Sequence, residues 1–228
     1  MTRSLLDDTD YVLFDAYGTL FDVHAAVQRH AGAIGPDAAR LSEVWRNKQL
    51  EYSWIRALTG RYRDFWLLTE EALDYALALH PGVDRSLRAP LLDAYRDLDA
   101  YPEVPGVLER LRARGIRTGI FSNGNAEMLE RAVASAGLSP LLDAVLSVDA
   151  SRTFKTAPAA YARAVEQADV ARERVLFCSS NRWDIAGAAA FGLRCAWINR
   201  RGLPGEYAEL TPAAVLDSLD GLLSASVV

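Results

Sequence analysis

Three side chains carry the chemistry this sequence first suggests: Asp15, Lys155 and Asp184. Asp15 follows the apolar run Tyr11–Phe14 and opens Asp15-Ala16-Tyr17-Gly18-Thr19. A carboxylate at the end of a buried strand is costly unless paired or solvated. It therefore either caps the following turn or serves as a nucleophile that forms an ester or acyl-phosphate intermediate. Thr19, four residues on, is spaced to hydrogen-bond that carboxylate. Lys155 is one of only two lysines beside 23 arginines. An ammonium is compact and tunable in a way that a guanidinium is not. Lys155 is then either a solvated surface cation or a group neutralising Asp15 and Asp184 together; two carboxylates alone would push one pKa up. Ser122-Asn123-Gly124 and Ser179-Ser180-Asn181-Arg182-Trp183-Asp184 follow two further apolar runs. Alone, each reads as a turn or a helix start favoured by the dipole. Jointly, each behind a strand, they read as one site.

The elements that must position these residues follow from the pattern of apolar runs. Six β-rich segments stand out: Tyr11–Phe14, Thr118–Phe121, Ala144–Val148, Val175–Cys178, Cys195–Ile198 and Ala214–Leu216. Short, wholly apolar runs suit strands buried on both faces of a parallel sheet. Helical patterns between the later ones end at Gly115, Gly137 and Gly192, where a helix C-terminus favours positive φ. Strand alternating with helix predicts an α/β fold with a doubly wound, Rossmann-like parallel sheet. Ligands bind such sheets at the carboxyl ends of the strands, where all three chemical residues fall. After the first strand the rhythm breaks for about a hundred residues. That gap reads as helices near Val23–Ala33, Ala38–Leu58, Thr69–Leu79 and Arg85–Leu98. The expected organisation is a core of residues 1–18 and 101–228 with a helical cap subdomain, 19–100, inserted after strand 1.

Composition narrows the classes. The formal net charge is -5 over 228 residues, which disfavours a nucleic-acid binder. No apolar run approaches the roughly 18 residues of a membrane span. The N-terminus lacks the apolar region of a secretory leader. The two cysteines, Cys178 and Cys195, each fall inside a predicted strand, too few for a disulfide scaffold. A cytoplasmic location is the default.

The order D-x-x-G-T, S-N-G, Lys and a late Asp resembles the haloacid dehalogenase superfamily, most of which are Mg-dependent phosphatases or phosphotransferases. Those place a second Asp two residues after the nucleophile and an acidic metal ligand in the last motif. Here Tyr17 and Ser179-Ser180-Asn181 stand instead. Mg²⁺ wants several hard oxygen ligands, and phosphoryl transfer without a cation lacks its main charge stabiliser, so no metal and no cofactor are expected. A closer resemblance is to the type II L-2-haloacid dehalogenases. D-A-Y-G-T-L-F-D-V-H, W-R-N-K-Q-L-E-Y-S-W, S-N-G, S-V-D and L-F-C-S-S-N-R-W-D are similar to that family's strings, in its order, from near Tyr11 to near Arg200.

That resemblance implies hydrolysis of an L-2-haloalkanoate to a D-2-hydroxyalkanoate and halide. Asp15 would be the nucleophile, touched by Thr19. Arg46 and Asn123 would face the leaving halide, with Tyr161 near the halide or Arg46. Ser122 and the backbone amides from Ala16 would hold the substrate carboxylate. Tyr17, Leu50, Phe65 and Trp183 would wall the alkyl group. Asp184 would be the base that hydrolyses the ester, held by Lys155, Ser179 and Asn181. SN2 displacement requires alignment behind the carbon–halogen bond and no proton for the halide, which accounts for the missing acid. Relatives are often homodimers. Asn47 stands where a longer Gln is expected, and Thr156-Ala157-Pro158 follows Lys155 where Pro is usual. Three other readings fit the same residues less well: another electrophile attacked through the same Asp15 ester, such as fluoroacetate or a cyclic amino acid; a phosphatase; and a non-catalytic binding module.

Overall fold

A computed structural model describes residues 3–226. Residues 1–2, in the stretch read for a secretory leader, and 227–228, at the end of the expected core, lie outside the described residues. The six strands are β1 (Tyr11–Phe14), β2 (Arg117–Ser122), β3 (Ala144–Ser147), β4 (Val175–Ser179), β5 (Arg194–Ile198) and β6 (Ala214–Leu216). They form one parallel sheet in the order β3-β2-β1-β4-β5-β6. Chain order reverses at β1, between β2 and β4, the crevice where doubly wound sheets bind ligands. β1 and β4 are buried along their whole length, which is why their sequences run apolar without alternation. Each strand lies within two residues of the run that predicts it.

The long gap after β1 is helical. It contains α1 (Ala25–Gln28), α2 (Ala31–Ile34), α3 (Ala38–Thr59), α4 (Phe65–Leu79) and α5 (Arg88–Arg96). The segment expected as one helix near Val23–Ala33 is broken in two. α4 starts four residues before the expected Thr69, because the Asp64 side chain accepts from the Trp66 and Leu67 amides and caps it there. The entering and leaving strands of the gap pair with each other: Phe21 bridges Ala100, and the Tyr101 amide donates to the Leu20 carbonyl.

The remaining helices flank the sheet: α6 (Val104–Ala113), α7 (Ala126–Ser135), α8 (Pro158–Ala168) and α9 (Arg182–Phe191). Two starts matter for the site. Asn125 caps α7 through the Met128 amide, and its side-chain nitrogen donates to Asp64 Oδ2 at 2.8 Å. The caps of α4 and α7 are thereby joined across the gap between helical insert and sheet. α9 packs against α8 at Gly187, where an added Cβ would lie 2.6 Å from the Tyr161 hydroxyl.

Candidate active site

Asp15 leaves β1 at the switch point, and its amide donates to the Cys178 carbonyl of β4. The turn behind it closes on the Ala16 carbonyl, which accepts from Thr19, Leu20 and Phe21. Gly18 takes φ +90° in that turn, a conformation that side chains with a Cβ adopt at a cost. The Asp15 carboxylate is 5% exposed. Its Oδ2 accepts three bonds: from Asn181 Nδ2 at 2.7 Å, Thr19 Oγ1 at 3.1 Å and Ser179 Oγ at 3.3 Å. Oδ1 accepts from Lys155 Nζ at 3.1 Å. One oxygen is loaded; the other keeps lone-pair capacity.

Lys155 is completely buried. Its ammonium donates to Asp15 at 3.1 Å, Asp184 Oδ2 at 2.8 Å and the Phe121 carbonyl at 2.7 Å. Three donors meet three acceptors, so nothing of the charge is left unpaired. Asp184, in the first turn of α9, is equally buried and also accepts from the Tyr161 hydroxyl at 2.7 Å. Burial raises the Asp184 pKa to about 6, with the Asp15 charge adding to the rise and the Lys155 ammonium opposing it. Desolvation wins because the group sees no solvent.

Three expected placements are corrected. Ser179 and Asn181 hold Asp15, not Asp184: Ser179 ends β4 beside the β1 terminus, and Asn181 reaches Asp15 from the loop before α9. Tyr161 goes to Asp184 rather than to Arg46 or a halide; α8 carries it under α9, among the rings of Phe121, Phe177 and Phe191. Phe65 is packed on Phe154 and does not line the open cleft.

Asn123 Oδ1 accepts from the Lys155 amide at 2.9 Å, and its Nδ2 is buried with no partner among the described residues. Ser122 Oγ accepts from the Gly124 amide at 3.2 Å. Arg46, on α3, donates to Gln49 Oε1 at 2.7 Å and to the Tyr17 carbonyl at 3.4 Å. The Tyr17 carbonyl also accepts from Asn181, so Arg46 reaches the edge of the Asp15 cluster. A cleft of about 580 Å³ opens there, lined by Tyr17, Arg46, Asn47, Leu50, Asn181 and Trp183. Arg182, Arg200 and Arg201 line it too, with Glu43 and Glu206. With Arg46 that is four cations to two anions in the lining, and with Arg200 paired to Glu103 an excess of positive charge still remains, on a chain of net charge -5. Such a positive cleft concentrates small anions.

The sequence reading missed Gln49, Tyr95 and Phe154. Gln49 carried a signal: a polar residue one helical turn after Arg46, within the apolar spacing of α3.

Residues that hold Mg²⁺ in the wider superfamily do not suit a cation here. The two carboxylates of the site already share the Lys155 ammonium, and the position two after Asp15 is a tyrosine. Among the described residues no group of three His, Cys, Asp or Glu side chains converges as a metal site.

Residues 9–192 match the family model of haloacid dehalogenase-like hydrolases. The chain belongs to that family, and within it to the (S)-2-haloacid dehalogenases. It is 48% identical over 218 residues to (S)-2-haloacid dehalogenase 1 of Pseudomonas sp. (strain CBS-3), covering 95% of this chain and 96% of that protein. A crystal structure of a dehalogenase superposes with a TM-score of 0.93 at 43% identity, over 96% of this chain and 97% of that one. L-2-haloacid dehalogenase from Xanthobacter autotrophicus with chloropropionic acid covalently bound gives 0.83 at 38% identity, over 94% and 96%.

Proposed function

We propose that this chain hydrolyses L-2-haloalkanoic acids to D-2-hydroxyalkanoic acids and halide. The observation that carries the reading is the buried Asp15–Lys155–Asp184 bridge, joined through Asn181 to the cleft that Arg46 lines. The bond of the Xanthobacter relative to chloropropionic acid supports a covalent route.

Asp15 Oδ1 attacks C2 from the side opposite the halogen. A C2–O bond forms, the C2–halogen bond breaks, and the electron pair departs with the halide, inverting C2. The three donors on Oδ2 fix the carboxylate, so alignment costs little at the moment of reaction. Arg46 and the free Asn123 Nδ2 receive the halide. Ser122 and the amides after Asp15 hold the substrate carboxylate, while Tyr17, Leu50 and Trp183 face its alkyl group and Phe65 backs that wall. Water then attacks the carbonyl carbon of the Asp15 ester. Asp184 takes its proton, steadied by Lys155 and Tyr161; the bond between that carbon and the substrate oxygen breaks, the alkoxide takes a proton back from Asp184, and Asp15 is restored as the hydroxy acid leaves.

Residues 19–100 act as a cap subdomain over a core of 1–18 and 101–228; the paired linkers at Phe21 and Ala100 support that division. A homodimer through α3 and α4 is supported by exposed Ile55, Leu58 and Leu79. The two free buried cysteines suit the cytoplasm. No described helix is long and apolar enough to cross a membrane.

Halide release from L- and D-2-chloropropionate, with EDTA present and with Asp15→Asn beside the wild type, tests this reading. We expect release from the L form only, untouched by EDTA and lost in the variant. No release from either enantiomer overturns it and directs the search to fluoroacetate and small cyclic amino acids.

A further inference from the structure

Gln49 lies one turn beyond Arg46 on α3 and is 1% exposed. A buried amide needs an acceptor for its N–H groups and a donor for its carbonyl. Gln49 finds them on three helices. Nε2 donates to Thr69 Oγ1 of α4 at 2.7 Å and to the Tyr95 hydroxyl of α5 at 3.1 Å; Oε1 accepts from Arg46 at 2.7 Å. The orientation of the amide is determined. Thr69 Oγ1 already donates to the Phe65 carbonyl at 2.8 Å, so towards Gln49 it must accept, and the amide oxygen is left for Arg46. Tyr95 is fixed in turn, stacked on Tyr17 with ring centres 5.6 Å apart and packed on Trp45 at 5.1 Å.

Both acceptors on Arg46, the Gln49 amide and the Tyr17 carbonyl, are neutral. The guanidinium is therefore aimed without being neutralised. A carboxylate at position 49 would make the same bond and cancel the charge.

We propose that Gln49 is a positioning residue: it holds the Arg46 guanidinium, through Thr69 and Tyr95, so that the whole positive charge faces the departing halide. This rests on the reading of Arg46 as the group that receives the halide. It predicts a dependence on the leaving group, because chloride, the smaller and poorer leaving ion, draws more on that charge than bromide.

The test uses Gln49→Met and Gln49→Glu, with halide release from 2-chloro- and 2-bromopropionate followed in single turnovers. Gln49→Met keeps the volume and loses the acceptor. We expect the chloride rate to fall about tenfold, the scale of one hydrogen bond to a charged group, with a smaller fall for bromide. In Gln49→Glu a protonated acid imitates the amide and an ionised one pairs with Arg46. The titratable groups in contact with that position are Arg46 and Tyr95, and those around these two are Tyr17, His24, Asp15 and Glu43; all are common to both proteins. The ratio of variant to wild-type rate therefore isolates residue 49, and it should rise as pH falls. Equal loss for both halides in Gln49→Met, with a ratio flat in pH for Gln49→Glu, overturns the proposal. If the glutamate variant does not fold, the chloride-to-bromide ratio of Gln49→Met decides alone. Wild-type release measured in the same series separates the two levels: an inactive wild type sinks the dehalogenase reading, whereas an active one with an unchanged ratio sinks only the role of Gln49.

Discussion

In the proposed reaction Asp184, with Lys155, sets the proton chemistry of the site. A base must be ionised to accept a proton, and burial holds Asp184 near a pKa of about 6. The sign follows directly: below that pH the acid form dominates and ester hydrolysis slows, while above it the carboxylate is available. We expect steady-state turnover to fall along an acid limb below about pH 6, because the Asp15 charge that adds to the rise is absent in the ester. Lys155→Met removes the charge that opposes the rise, so any residual limb should move to higher pH; a limb that moves down, measured as kcat against pH, contradicts the assignment. Asp184→Asn should leave the first halide release intact and let the Asp15 ester accumulate, visible as added mass on the protein. If that variant keeps the full steady-state rate, another group is the base. Spacing told only that Asp15, Lys155 and Asp184 belong together. Which oxygen of Asp15 is loaded, and that Ser179 and Asn181 serve Asp15, depended on where β4 ends relative to β1, a distance set across the sheet.

The helices contribute by how closely they approach. α8 brings Tyr161 under Asp184 only because position 187 of α9 is glycine: an added Cβ would meet the Tyr161 hydroxyl at 2.6 Å and the Thr156 Cβ at 2.7 Å. Overpacking of this kind costs about 1–3 kcal/mol. Gly187→Ala should therefore lower the melting midpoint, by about 2–4 °C for each kcal/mol in a chain of this size, and should slow turnover by displacing Tyr161. Adding Tyr161→Phe should restore part of the melting midpoint but not the rate; no recovery in thermal melts would mean that the clash is taken up elsewhere. Sequence periodicity found α9 from Ile185, Ala188 and its C-terminal Gly192. It could not show that Gly187 faces another helix, because helical phase gives a face and not a neighbour.

For the whole molecule, five of the nine large apolar side chains exposed among the described residues lie on α3 and α4, including Leu58 at 84% and Ile55 at 54% near the end of α3 and Leu79 at 53% at the end of α4. These side chains are the ones the proposed homodimer would cover. Leu58→Glu with Ile55→Ser should convert a dimer to a monomer in sedimentation. A wild type that is monomeric at micromolar concentration counts against the homodimer.

The sequence by itself determined the class of fold, the strand runs, the helical insert and the identity of the central aspartates and lysine. Each of these is written in local terms: apolar run length, helical period, glycine at helix ends and residue type behind a strand. Tertiary structure alone decided the partners. Tyr161 was assigned to the halide side and stands beneath Asp184; Phe65 was assigned to the wall around the alkyl group and packs on Phe154; Gln49 was passed over and holds Arg46. The physical reason is common to all three. A hydrogen-bond partner is chosen by which buried groups of distant segments must satisfy one another when the sheet and the insert close, and one chain position carries no record of that choice.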